Sequence, residues 1–403
     1  MTTFTASSIA ASSAIVLAAA AFRGRAFAAF GGVLLSVHTA VSCALFPRFA
    51  WCAPVFVYLQ IALYLHFASL VRARLRPLAY RALVSVPASW FSAGTMLAIP
   101  WAIAEGLHHP LPYVGVPYAI ALVGLVQSLV HRAEEVDVTL DAASVPELRR
   151  HPRGDARVDR PLRVVQITDP HLGPFMPEER LRRLCERAVA HQPDLVLLTG
   201  DFLTMESHGA HESLSRALAP LAKLDGRVIA CFGNHDHEDP ATVRRALASI
   251  GATLLVDDAT VVETPAGPVQ IVGMDYARRD RRARMGDVCA RHPRLPGHLR
   301  VVLLHDPGAF AELGEGEGDL VFSGHTHGGQ LGLLVLGLPY TVVSAFSRIP
   351  DHGLWALGKN RLYVHRGSGH YGFPLRVGVP SEESLVRVHA PVVPAARGDD
   401  AAS

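Results

Sequence analysis

Lysine is almost missing: of the 38 Lys and Arg residues in this chain of 403, only Lys223 and Lys359 are lysines. Acidic charge is missing from a third of the chain, since Glu105 is the single Asp or Glu before His131. A stretch so poor in charge is not a soluble core; it has the composition of membrane-spanning helices. The five cysteines form no Cys-x-x-Cys, which excludes a thiolate metal site of the usual spacing and gives no disulfide framework. Cys185 and Cys231 fall within apolar patterns and read as buried free thiols. A net charge of +2 carries no footprint for a polyanion, so no nucleic-acid partner is expected.

What the N-terminal third does contain is apolar runs of bilayer length, at about Phe4–Phe22, Ala26–Phe46, Ala50–Val71, Ala82–Ala104 and Pro112–Val130. They predict a multi-span helical region of about five spans over residues 1–132, with four spans as the alternative. The first run lacks the preceding positive charge of a signal peptide. Arg23 and Arg25 follow the first run, and Arg72, Arg74, Arg76 and Arg81 follow the third. The positive-inside rule then puts those connections, and with five spans everything after Val130, on the cytoplasmic side of a plasma (inner) membrane. Residues 133–160, rich in Arg and Glu, read as a linker. Residues 391–403 read as a disordered tail.

Between them, residues 161–390 show one pattern repeatedly: an apolar strand, then a polar cluster. Leu162–Thr168 leads into Asp169-Pro170-His171; Asp194–Thr199 into Gly200-Asp201; Arg227–Phe232 into Gly233-Asn234-His235-Asp236; Arg300–Leu304 into His305-Asp306; Asp319–Ser323 into Gly324-His325-Thr326-His327. Helical patterns at Pro177–His191, Leu214–Leu224 and Ala241–Ile250 separate the first strands. In α/β sheets the carboxyl ends of strands open onto a shared crevice, so such clusters converge. Each cluster alone is as well explained by a turn or a helix cap, and His-x-His is weak in a chain with 21 histidines. Five in this order are not. Asp169, His171, Asp201, Asn234, His305, His325 and His327 form a ligand set for two cations, and the His/Asp/Asn mixture suits Mn, Fe, Zn or Co better than Mg or Ca.

This motif series resembles that of the calcineurin-like metallophosphoesterases. The Gly328-Gly329-Gln330 tail resembles their YkuE-like branch, and the apolar runs ahead of it resemble transmembrane members of the family. The resemblance implies a four-layer αββα sandwich and hydrolysis of phosphoester or pyrophosphate bonds at a dinuclear centre. It implies that Asp169, His171, Asp201 and His327 hold one metal and Asp201, Asn234, His305 and His325 the other. His235 would serve the leaving oxygen, oriented by Asp236.

The substrate is less defined by the residues. Arg278 and Arg279, in a run of arginines, and Arg366, in a glycine-rich turn, are candidate phosphate contacts, with solvated loops as the plain alternative. Leu331–Phe346 reads as core strands or as a resting place for a lipid tail. A lipid bilayer and a phosphorylated, lipid-linked substrate are the expected partners, since the branch includes enzymes that cleave UDP-2,3-diacylglucosamine. A tethered phosphatase on soluble nucleotides or phosphoproteins, and a membrane sensor or transport component with an accessory hydrolase, are the competing readings.

Overall fold

Uninterrupted apolar sequence leaves the backbone no water to bond, so it satisfies its own polar groups as helix. In the computed structural model, which describes residues 2–141, 143–154, 160–373 and 375–390, the N-terminal helices include Thr3–Phe22, Arg25–Leu45, Ala53–Leu70, Val86–Leu97, Ile99–Gly106 and Val116–Ser128. Two helical stretches are long and apolar enough to cross a membrane, Thr3–Phe22 and Arg25–Leu70, and a third if the pair Leu78–Leu97 and Ile99–Gly106, bent by 53°, is one span. Arg25–Leu70 folds back on itself through the 3-10 segment Phe46–Cys52: His38 Nε2 lies 3.2 Å from Gln60 Oε1, and Thr39 Oγ1 2.8 Å from Tyr64 Oη. By length and composition two or three stretches could cross, against about five expected, and the folded-back stretch holds two of the five expected runs, Arg25–Leu45 and Ala53–Leu70. Pro100 has no N–H for the Met96 carbonyl, and the helix breaks there. The last helix, Val116–Ser128, has 13 residues and covers about 20 Å, short of the ~30 Å hydrocarbon layer.

The described residues of the expected 133–160 linker are not a free tether. They supply strand β1 (His131–Thr139) to one sheet and β2 (Val145–Arg150) to the other. Their alternation explains this: Val136 and Val138 are buried between charged neighbours, and Asp137 faces Arg387 at 2.8 Å.

The first sheet runs β1, β13 (Ser381–His389), β3 (Leu162–Ile167), β4 (Leu195–Leu198), β5 (Val228–Ala230), β6 (Thr253–Leu254). The second runs β2, β11 (Gly353–Gly358), β12 (Asn360–Val364), β10 (Leu320–Ser323), β9 (Leu299–Leu304), β8 (Gly267–Met274), β7 (Asp258–Thr264). Both sheets are mixed: β3, β4, β5 and β6 are parallel, as are β8, β9, β10 and β12, while β13 runs antiparallel to β3 and β11 antiparallel to β12.

Period-two alternation divides the side chains. Val164, Leu195 and Leu197 meet Val301, Leu303 and Phe322 in a core between the sheets. Val165, Val196 and Leu198 point the other way, onto the helices Glu178–Ala190, His211–Leu218 and Pro240–Ser249. The helix Arg281–Arg291 covers the outer face of the second sheet through Met285 and Val288. Each Val or Leu so buried contributes roughly 1.5–3 kcal/mol, which makes the parallel strands rigid enough to aim the loops at their carboxyl ends. The tail expected at 391–403 lies outside the described residues.

Candidate metal centre

The loops leaving β3, β4, β5, β9 and β10 converge at one edge between the sheets. Their backbone is unusual: Asp169, His171, Asp201, His325 and His327 all have φ between 48° and 67°. Residues without special reason avoid this left-handed region, and a cluster of them marks a site held in shape by its surroundings. Glycine permits the approach. A Cβ at Gly324 would collide with the Asp169 carboxylate, and one at Gly233 with that of Asp201.

Two ligand groups result. Asp169, His171 and His327 form one and Asp201, His305 and His325 the other, the donor atoms of each lying within 4.8 Å of one another. His327 Nε2 is 3.5 Å from Asp169 Oδ1, His305 Nε2 is 3.2 Å from Asp201 Oδ2, and His171 Nε2 is 3.7 Å from Asp201 Oδ2. Asn234 Oδ1 completes the second group, 3.3 Å from His305 Nε2. Such separations match donors gathered about ions at about 2.0–2.2 Å.

The fit to a cation rests on tautomers. His171 Nδ1 donates to the Leu203 carbonyl at 2.9 Å, which leaves Nε2 as a lone pair, fully buried and without a hydrogen-bond partner among the described residues. His305 Nδ1 donates to the Thr199 carbonyl at 2.7 Å. These are the outer hydrogen bonds that orient ligating imidazoles. Burial pushes His171 and His325 down to about 4, and His327 well below its ordinary value, so the three rings are neutral. His305 goes the other way: burial would lower it, but the Asp201 carboxylate raises it to about 10. The space between Asp201 and His305 draws positive charge.

The Calcineurin-like phosphoesterase family profile matches residues 162–329. Over 225 residues, 53% of this chain and 78% of the relative, the chain is 32% identical to phosphodiesterase YaeI of Escherichia coli (strain K12). The chain belongs to the calcineurin-like metallophosphoesterases. It is a hydrolase acting on phosphoester bonds, and the divalent metals typical of the family have candidate ligands here. It is also 27% identical to the transmembrane protein with metallophosphoesterase domain of Danio rerio, over 285 residues, 65% of this chain and 59% of that one. With UDP-2,3-diacylglucosamine pyrophosphatase LpxG of Chlamydia muridarum it shares 27% identity over 279 residues, 56% of this chain and 83% of the relative.

Of the other candidate residues of this metallophosphoesterase, Asp236 and Arg366 are placed differently from expectation. His235 sits at the rim, and its Nδ1 is 2.8 Å from Glu238 Oε1. Asp236, expected to orient that ring, instead accepts the backbone N–H groups of Asp201, Phe202 and Gly233 at 2.7, 2.9 and 2.8 Å. It is fully buried and ties the β4 and β5 loops together, so the orienting carboxylate is Glu238. Arg366 is buried against Glu134 and Glu382, its charge already matched, which argues against a phosphate contact. Arg278 and Arg279 are exposed, on the loop after Tyr276, whose ring is 6.4 Å from that of His325.

Tyr371 and Arg376 stand out only in the folded chain, and Gln330 gains a partner there. Tyr371 stacks on His171 with ring centres 4.8 Å apart and meets His235 edge-on at 4.7 Å. Gln330 donates to the Tyr371 carbonyl at 2.8 Å, giving the Gly-Gly-Gln tail a task. Arg376, fully buried, gathers the carbonyls of His327, Arg366 and Gly369 behind the metal loop.

Proposed function

We propose that this metallophosphoesterase uses two divalent ions, drawn from Mn, Fe, Zn or Co, to hydrolyse a phosphoester or pyrophosphate bond of a lipid-linked substrate of the UDP-2,3-diacylglucosamine type. The observation that carries the chemistry is the unpartnered, buried Nε2 of His171, aimed with His327 and His305 at Asp169 and Asp201. Asp169, His171, Asp201 and His327 would hold one ion, and Asp201, Asn234, His305 and His325 the other. When bound, such ions neutralise phosphate charge, lower the pKa of a water and orient phosphorus for in-line attack. The chain's own residues do the rest. Water adds to phosphorus, the P–O bond to the leaving group breaks, and His235, polarised by Glu238, donates the proton that the leaving oxygen takes up.

Three features support a membrane-borne substrate. The membrane helices pack directly on the catalytic fold. Among residues 333–346, Leu336, Tyr340 and Phe346 are exposed rather than core, 69%, 64% and 87% accessible, on a loop hydrogen-bonded through Gly378 to Gln127 of the last helix. The relative LpxG is named for a lipid nucleotide. The side of the membrane can be argued without counting spans: Arg23 donates to the Met205 carbonyl at 2.8 Å, and the charges of Arg76 and Arg81 act on Glu206. Both arginine-rich connections thus share a side with the catalytic fold, which the positive-inside rule makes cytoplasmic.

The test is hydrolysis of bis-p-nitrophenyl phosphate and UDP-2,3-diacylglucosamine by detergent-purified wild type with Mn and by the Asp201→Asn, His325→Ala double variant. Turnover of both, lost in the variant, is expected. Cleavage of the diester alone would favour the tethered hydrolase of soluble substrates; cleavage of neither would overturn the reading.

A further inference from the structure

Beside the metal centre lies a cavity of about 340 Å³ whose walls come from two sources. Membrane helices contribute Leu34, Phe67, Ser92 and Met96; the catalytic fold contributes Phe175 and Tyr371. His171 lines it as well, so the cavity opens directly onto a metal ligand. Its volume lies in the range of ~300–1,000 Å³ that holds small-molecule ligands. The lining surface is mostly apolar, and the helices around it belong to the stretches apolar enough to cross a membrane.

Polar groups interrupt the lining, among them His66, Ser89 and Thr204, and its one carboxylate, Glu206, lies at the catalytic end. Glu206 is 4% exposed, and among the described residues neither carboxylate oxygen has a hydrogen-bond donor; His66 Nδ1 is 3.8 Å away. An unsatisfied buried carboxylate is costly unless a donor arrives. Apolar walls ending in an acceptor, next to a phosphate-cleaving centre, describe an amphiphile: a hydrocarbon chain, then a hydroxyl or amide N–H, then a phosphate.

Resting on the hydrolytic reading above, we infer that this cavity is an acyl-chain site that holds the tail of the substrate between the membrane helices while its phosphate lies at Asp169, Asp201 and His171. Tyr371, stacked on His171 and edge-on to His235, is the partition between tail and phosphate. Chain length is then a specificity read by Leu34, Phe67, Ser92 and Met96, none of which touches the reacting atoms.

The test uses the full chain in detergent and p-nitrophenyl phosphodiesters whose second ester is an alkyl chain from ethyl to hexadecyl. Water adds to phosphorus, nitrophenolate leaves, and alkyl phosphate remains. For wild type, kcat/KM rises with chain length and then levels. Ser92→Phe, which fills the cavity, lowers the hexadecyl value by about 10- to 100-fold while the ethyl value stays within about twofold; the ethyl diester thus reports that the variant is folded and active. Met96→Ala moves the plateau to longer chains. A flat wild-type profile, or a Ser92→Phe profile parallel to wild type, would overturn the acyl site and leave the hydrolase standing. If no diester is cleaved, the hydrolytic reading fails first, and a photoreactive diazirine hexadecyl phosphate decides the site separately: crosslinks at Phe67 and Met96, reduced in Ser92→Phe, support it, and crosslinks elsewhere refute it.

Discussion

At the metal centre, polar groups are matched within hydrogen-bond distance: carbonyls of Leu203 and Thr199 orient His171 and His305, and Asp236 takes three backbone N–H groups. In the adjoining cavity, which His171 and Tyr371 also line, Glu206 has both oxygens unmatched among the described residues. The first region is closed by the protein itself except for the lone pairs a cation takes. The second is left unfinished by the protein. Fixed chemistry calls for the former arrangement, and a variable, flexible ligand for the latter.

The contrast is broken most severely by changing the centre. Asp201→Asn, which removes the carboxylate lying between His171 and His305, is expected to lower diester hydrolysis by about 10³-fold or more, with metal content falling in parallel by mass spectrometry. His235→Ala should cost about 10²-fold or more on an alkoxide leaving group and much less on nitrophenolate, which leaves without a proton; equal losses on both would remove His235 from its role.

Glu238→Gln should cost about 10-fold and leave metal content intact. Burial lowers the His235 imidazole, but the hydrogen bond it donates to Glu238, with the charges of Asp201 and Glu238, outweighs burial and raises the value. An acid must be protonated to act, so losing that raised value moves the basic limb of the pH–rate profile to lower pH. An unmoved limb would exclude Glu238 as the orienting group.

The smallest effect lies away from the site. Burial pushes the Glu383 carboxyl up, but the hydrogen bonds to His131 and Arg187 prevail and hold it at about 2. A depressed carboxyl stabilises above its unfolded value of about 4.3 and loses that contribution as pH falls through about 2. Glu383→Gln should therefore lower the apparent Tm by about 2–6 °C at pH 7, a difference that shrinks below about pH 4.

What could be read along the chain was what sits directly after a strand. Asp169, Asp201, Asn234, His305 and the His325/His327 pair each come after an apolar run, and parallel strands bring such positions together whatever lies between. The strands β1 and β2 were not legible, because they pair with β13 and β11, more than 200 residues on, and their charged faces look like a linker. Glu238 was hidden because its reach to His235 depends on a 3-10 turn, Asp236–Glu238, within what reads as a cap. The cavity needs helices near Leu34 and Phe67 to meet a loop near Tyr371, a contact that no periodicity announces.

The proposed two-ion centre is put to its sharpest test by stripping the detergent-purified protein with chelator, restoring Mn, and following bound metal and bis-p-nitrophenyl phosphate hydrolysis together. Asp169/His171/His327 and Asp201/His305/His325 predict activity that vanishes on stripping and returns as the second ion per chain binds. Hydrolysis that persists in metal-free protein, or full activity with no ion bound, would contradict a metal-dependent hydrolase.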